Sequence, residues 1–205
     1  MAISPYERWL WAAGLGPVAG ADEAGRGACA GPLVAAAVIL APDEDIPGLT
    51  DSKALSATAR DRLLEVICDR AVAWSCVSVP AEECDRLGIQ AANLGALRQA
   101  VQGLSVAPGF VITDGFAVDG LDSPSLGMWK ADQVAACVSA ASIIAKVTRD
   151  RYMAALDATY PQYEFGKHKG YATATHQRHL AAYGPCPEHR LSYANVRQQA
   201  RVEPS

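Results

Sequence analysis

Asp22 and Glu23 stand side by side after the apolar run Val18-Ala19-Gly20-Ala21 and are followed by Ala24-Gly25-Arg26-Gly27. Two carboxylates at the end of a strand can hold hard metal ions. The glycines let the backbone approach a ligand that any side chain would block. Two further carboxylates occupy comparable positions: Asp114 closes the run Phe110-Val111-Ile112-Thr113, and Asp132 opens a helical pattern. In mixed α/β sheets, ligands gather at strand ends, so neighbouring strands would bring such residues together. Four carboxylates in one place repel one another unless cations neutralise them, and Mg²⁺ or Mn²⁺ with oxygen ligands is the natural solution. Two such ions roughly 3.5–4 Å apart can activate water and stabilise the leaving oxygen of a phosphodiester. Taken singly, Asp114 reads first as a turn residue before Gly115 and Asp132 as a helix N-cap. Adjacent strand residues also point to opposite faces, so Asp22 and Glu23 share a site only if the strand bends or ends there.

Other chemistries fit the spacing less well. Gly25-x-Gly27-x-x-x-Gly31 resembles a dinucleotide fingerprint, but Pro32 and a Val/Ile-rich strand follow where a helix should open. His176-x-x-His179 lacks nearby Cys or Glu at metalloprotease spacing, which disfavours zinc. The six cysteines form no Cys-x-x-Cys pair and read as reduced core thiols.

The elements that must position these residues follow from periodicity. Strands are expected at Val18–Asp22, Leu33–Leu40, Val72–Val79, Phe110–Asp114 and, more briefly, Met128-Trp129-Lys130. Helices are expected from Ser56 to about Arg70, over Ala81–Leu87 and Ala91–Gly103, and from Asp132 to about Ala158. After the first three strands, strands and helices alternate. This implies an α/β fold, a mixed sheet flanked by helices.

At 205 residues, half of them hydrophobic, the chain can build one domain and an extension. Its longest apolar run, Ala28 to Ala41, is too short to span a bilayer and contains Gly31 and Pro32. The N-terminal Trp9-Leu10-Trp11-Ala12-Ala13 is a poor signal peptide, so a cytoplasmic protein without a membrane partner is expected. The net charge of −4 is unevenly spread. Residues 1–145 carry nine Lys/Arg against 17 Asp/Glu, a net −8, whereas residues 146–205 carry nine against five, a net +4. A carboxylate-rich body with a basic C-terminal face follows.

Together these motifs resemble bacterial ribonuclease HII, a type 2 ribonuclease H, from about Val18 to Tyr193. The resemblance rests on Asp22-Glu23-Ala24-Gly25-Arg26-Gly27 with Ala30-Gly31-Pro32, on Asp51-Ser52-Lys53, and on Thr113-Asp114-Gly115 and Lys130-Ala131-Asp132. It continues through Ser139 to Val147, Arg149-Asp150-Arg151, His168-Lys169-Gly170-Tyr171-Ala172-Thr173 and His189-Arg190-Leu191-Ser192-Tyr193. Gly88 departs from it, since many members carry Asn there. The resemblance implies a ribonuclease H-like five-stranded sheet in residues 1–160 and a small C-terminal helical extension, 161–205, that contributes to substrate binding. It implies an endonuclease that cuts RNA in RNA–DNA hybrids and acts 5′ of single ribonucleotides embedded in duplex DNA. Asp22, Glu23, Asp114 and Asp132 become the catalytic, metal-binding carboxylates, with two Mn²⁺ or Mg²⁺ ions during catalysis. Gly25, Arg26 and Gly27 become the loop that senses the ribose 2′-OH, and Tyr171 the residue that stacks at the RNA–DNA junction. Lys53 matches a lysine near the cleaved phosphate, and Lys169, with Lys167, suits backbone phosphate contacts. A monomer is expected. Gln198 to Ser205 lacks the paired aromatics of a sliding-clamp peptide. A module that grips hybrids without cutting, and a nucleotide-dependent oxidoreductase, are the competing readings.

Overall fold

Five strands form one mixed sheet in the order β3-β2-β1-β4-β5. They are β1 (Val18–Ala24), β2 (Leu33–Ile39), β3 (Ala73–Val79), β4 (Phe110–Asp114) and β5 (Ser125–Met128). The computed structural model describes residues 4–50 and 52–200; the Lys53 side chain also lies outside the described set. Helices α1 (Pro5–Ala12), α2 (Ala57–Arg70), α3 (Ala81–Leu87) and α4 (Ile89–Gln102) precede α5 (Ala136–Thr159). The short α6 (Phe165–His168), α7 (Ala174–Tyr183) and α8 (Ala194–Ala200) complete the described chain.

Every residue of β2 is buried, as expected of a strand covered on both faces. β1 pairs antiparallel with β2, setting Asp22 opposite Ala36, and parallel with β4, setting Ala21 opposite Thr113. The same register therefore brings Asp22 and Asp114 to the end of the β1–β4 ladder. Hydrophobic alternation in β2 puts Val34, Ala36 and Val38 in one cluster with Leu63 and Ile67 of α2 and with Ala140, Ile143 and Ile144 of α5. A Cβ at Gly20 would lie 2.2 Å from the Val138 backbone nitrogen. The missing side chain is what lets the start of α5 press against β1.

The chain divides into two compact units. One comprises residues up to Ala24 with Val34–Val77 and Leu94–Val147; the other comprises Gly25–Leu33, Ser78–Asn93 and the residues from Thr148 onward. The first holds the sheet core. The second is built on the cluster Ala30, Met153, Tyr163 and Phe165 and the cluster Cys29, Leu180 and Val196.

Three expectations are corrected. β1 runs on to Ala24, two residues past its expected end at Asp22. The last strand is Ser125–Met128, because Lys130 adopts a left-handed conformation (φ 57°) that ends the extended run. Asp132 does not cap α5. It lies in a 3-10 turn, Ala131–Gln133, and the helix starts at Ala136. The cap comes instead from Glu7, a buried residue of the unanticipated α1. Its two carboxylate oxygens accept the Ala136 and Cys137 amides, each at 2.9 Å, which satisfies orphan donors at a helix start.

Candidate active site

In the first unit, Asp22 and Glu23 lie on β1, Asp114 ends the neighbouring β4, and Asp132 lies in the turn after β5. Asp22 is buried, Glu23 and Asp114 are partly buried, and Asp132 is buried. Asp22 Oδ1 accepts the Glu23 amide at 2.7 Å, and Asp114 Oδ1 accepts the Ala131 amide at 2.7 Å. The second bond fastens the turn that carries Asp132 to the end of β4.

Burial, and then the charges of Glu23 and Asp114, raise the Asp22 carboxyl well above the ordinary carboxylate range. Ser142 opposes this through a hydrogen bond to Asp22, and its Oγ lies 2.8 Å from Ser52 Oγ. Glu23 acts on Asp22 even though strand alternation separates the two side chains. Their charges therefore interact although β1 continues through both residues.

This is a donor set that fits a hard divalent cation: oxygen-only, acidic, and mutually repulsive without a positive charge. Among the described residues, no three His, Cys, Asp or Glu side chains close around one point. An open array of this kind suits an ion that keeps several waters and takes further oxygens from a phosphate.

In the second unit, the Gly25–Pro32 loop is held by two buried arginines. Arg190 donates from Nη1 to Gly25 O (2.8 Å) and from Nη2 to Gly31 O (2.9 Å). Arg149 donates to Pro32 O, Ala30 O and Lys169 O at 2.8–2.9 Å. The Tyr193 hydroxyl donates to Arg26 O. In a trans peptide the carbonyl and the following N–H point in opposite directions. The amides of Arg26 and Gly27 therefore point away from the groups that hold the Gly25 and Arg26 carbonyls.

The two glycines of this loop have different reasons to be glycine. Gly25 is buried, has φ +91°, and a Cβ there would lie 1.9 Å from Arg149 Nε. Gly27 is exposed, and nothing lies within 4 Å of where its Cβ would be. The fold requires the first glycine and leaves the second unexplained.

Tyr171 is 38% exposed, and the Arg149 guanidinium sits 5.5 Å from its ring centroid. Burial lowers Arg149 to about 10, so it stays cationic at neutral pH and this is a cation–π contact. Arg26 Nη2 donates to Gln90 Oε1 at 3.0 Å. Lys169 is in a left-handed conformation (φ 54°), with Nζ 3.4 Å from Asp150 O. Asp51 and the Lys53 side chain lie outside the described residues; the Lys53 backbone is part of a short 3-10 turn, Ser52–Ala54.

Sequence reasoning gave no role to Glu7, Ser52, Ser142, Arg149 or Arg190. Arg149 and Arg190 were visible only as members of motifs, and counting charge assigned them to a basic surface. Both are fully buried.

The sheet order and the acidic ends of its central strands define a ribonuclease H-like hydrolase. Residues 19–196 match the family model for ribonuclease HII. The chain is 62% identical to the ribonuclease HII of Cutibacterium acnes, over 98% of this chain and 99% of that protein. Among solved structures, it is similar to the ribonuclease H2 of Pyrococcus horikoshii, with a TM-score of 0.76, 29% identity, and coverage of 89% and 96% of the two chains. It is also similar to the ribonuclease HII of Archaeoglobus fulgidus solved in a complex with PCNA, with a TM-score of 0.71, 26% identity, and coverage of 88% and 97%. The chain belongs to the ribonuclease HII family. It is a metal-dependent hydrolase of the ribonuclease H class.

Proposed function

We propose that the protein is an endonuclease that hydrolyses the RNA strand of RNA–DNA hybrids and cuts on the 5′ side of single ribonucleotides embedded in duplex DNA. The observation that carries this reading is Asp22, at the acidic end of the β1–β4 ladder, held against ionisation first by burial and then by the charges of Glu23 and Asp114. That cluster calls for divalent cations, and Asp22, Glu23, Asp114 and Asp132 are the residues that would hold them. Two such ions, when bound, supply an activated water and charge stabilisation at the leaving 3′-oxygen. The products then carry 3′-OH and 5′-phosphate ends. The residues' own task is positional. Asp114 fixes the Asp132 turn through Ala131, and Ser142 orients Asp22.

Discrimination falls to the Gly25-Arg26-Gly27 loop and Tyr171. The 2′-OH is the one group that marks a ribonucleotide within DNA. Backbone amides turned away from Arg190, on a loop whose exposed Gly27 has no steric need to be glycine, suit contact with that hydroxyl. Tyr171 offers an aromatic face at the RNA–DNA junction. Arg26, Lys53 and Lys169 serve as phosphate contacts, and residues 161–205 contribute as the extension beyond a catalytic domain of residues 1–160. The enzyme acts as a monomer in the cytoplasm. Its six free cysteines suit a reducing compartment, and no described helix is long and apolar enough to cross a membrane.

The test is a DNA duplex containing one ribonucleotide, incubated with Mg²⁺ or Mn²⁺ beside an all-DNA control. Cleavage 5′ of the ribonucleotide in the first duplex alone is expected. Equal cutting of both duplexes, or cutting that persists in excess EDTA, would overturn the reading.

A further inference from the structure

Three buried histidines, His168, His176 and His189, take no part in the chemistry above. The His168 and His176 rings stack with centroids 4.2 Å apart, and His176 Nε2 lies 3.1 Å from His189 Nε2. Their hydrogen bonds fix where the protons are. The Cys186 amide donates to His189 Nδ1 at 3.0 Å, so that nitrogen is an acceptor and the His189 proton is on Nε2. His189 Nε2 then donates to His176 Nε2, which leaves the His176 proton on Nδ1. That proton faces the Tyr171 carbonyl oxygen at 3.0 Å. The opposite assignment fails at both ends. It sets a lone pair of His176 against the Tyr171 carbonyl and an N–H of His189 against the Cys186 amide.

We infer that His176 and His189 are positioning residues for Tyr171: two neutral imidazoles in series hold its carbonyl, and so set its ring over Arg149 to read a ribonucleotide. The proposal rests on the role given to Tyr171 under Proposed function. The Thr173 amide also donates to this carbonyl, at 2.8 Å, and the imidazole takes the second lone pair. Gly170, just before Tyr171, leaves no room for adjustment, because a Cβ there would lie 2.3 Å from Ala30 O.

The device works in one charge state, since a protonated His189 would present two donors to neighbours that need one. The titratable groups acting on the pair are His168, His179, Cys186 and, 3.7 Å from His176 Nδ1, Cys29. Glu188 accepts from the Tyr152 hydroxyl, and the Arg190 guanidinium is engaged by the Gly25 and Gly31 carbonyls. Burial lowers both His176 and His189 to about 4, consistent with a neutral pair.

Long-range proton–nitrogen NMR on the native protein at neutral pH should find His176 protonated at Nδ1 and His189 at Nε2. The reverse tautomers, or an imidazolium at either position, would overturn the proposal. Kinetics on the one-ribonucleotide duplex then separate positioning from stability. His176→Leu should raise KM about tenfold, the worth of one hydrogen bond. His176→Asn, whose amide nitrogen falls near the place of Nδ1, should restore most of it. Both variants lose the link to His189, so both should melt lower by similar amounts. Equal KM values in the Leu and Asn variants would contradict positioning. Tyr171→Ala distinguishes the two layers. Unchanged ribonucleotide preference in that variant removes the role of Tyr171, and the positioning role with it. Lost preference there, with a native KM in His176→Leu, overturns the positioning role alone.

Discussion

Arg149 Nε occupies the space that a Cβ at Gly25 would need, the two points lying 1.9 Å apart. The same guanidinium donates to the Ala30, Pro32 and Lys169 carbonyls and covers the Tyr171 ring. One buried cation therefore couples the glycine loop to the aromatic residue placed beside it in the proposed discrimination. It can do so only because residue 25 has no side chain.

Gly25→Ala and Gly27→Ala should consequently behave differently. The first combines a positive φ with a collision against a side chain that cannot move without losing three hydrogen bonds. It should cost about 2–4 kcal/mol of stability, read by chemical denaturation. The second should leave stability within about 0.5 kcal/mol while sharply reducing cleavage of the one-ribonucleotide duplex. Native activity in Gly27→Ala would remove backbone contact at that residue from the account.

Glu7 lies far from Asp132 in sequence, yet it fixes the start of α5 just after that residue. Glu7→Ala should cost about 2–4 kcal/mol, since the buried Ala136 and Cys137 amides lose their acceptors. Divalent-ion affinity should fall as well, because the Asp132 turn loses its downstream anchor. Isothermal titration and denaturant melts on the same variant test both effects.

The burial of Asp22, with the repulsion around it, gives a sign that can be checked. Its carboxyl is raised well above 3.8, so its ionised form weakens the folded state at neutral pH in the absence of cation. Asp22→Asn should therefore melt higher than the native protein in EDTA. It should also gain less on adding Mg²⁺ or Mn²⁺, since ligand binding to the native state stabilises by mass action. A lower melting temperature in EDTA would contradict the electrostatic description.

His176 and His189 titrate in the opposite sense. Each has a pKa of about 4 when folded, below the ordinary 6.5, so the unfolded chain binds more protons between those values. Stability from the pair is full above about pH 6.5 and is lost as pH falls toward about 4, at up to about 1.4 kcal/mol per pH unit for each histidine. Melting temperatures from pH 6.5 to 5 in Asp22→Asn, which lacks the opposing Asp22 titration, should fall steadily. A flat profile would mean the histidines are not held neutral.

The sequence carried the strands well, because they are local signals. Alternation and β-branched runs located β1, β2 and β4, and a motif carries its residues wherever the fold takes them. What it hid were contacts between distant residues. The α5 start was misplaced by four residues because the cap comes from Glu7, 129 positions away from Ala136, and not from the local Asp132. The two arginines were counted as surface charge because composition does not distinguish a cation facing phosphate from one spent on backbone carbonyls. His176 was weighed only as a metal ligand, and His189 was visible only as a member of a motif. Their relay depends on Cys186 and Tyr171 meeting them in three dimensions.

The central claim is that Asp22, Glu23, Asp114 and Asp132 hold the divalent ions that cut the RNA strand. Asp114→Asn tests it most directly, because asparagine keeps the oxygen that accepts the Ala131 amide and removes only the charge. The measurement is the single-turnover cleavage rate on the one-ribonucleotide duplex with saturating Mn²⁺, with circular dichroism confirming the fold. A rate lower by about a thousandfold or more is predicted, from losing several kcal/mol of charge stabilisation. A rate within a few-fold of native in the folded variant would contradict the account.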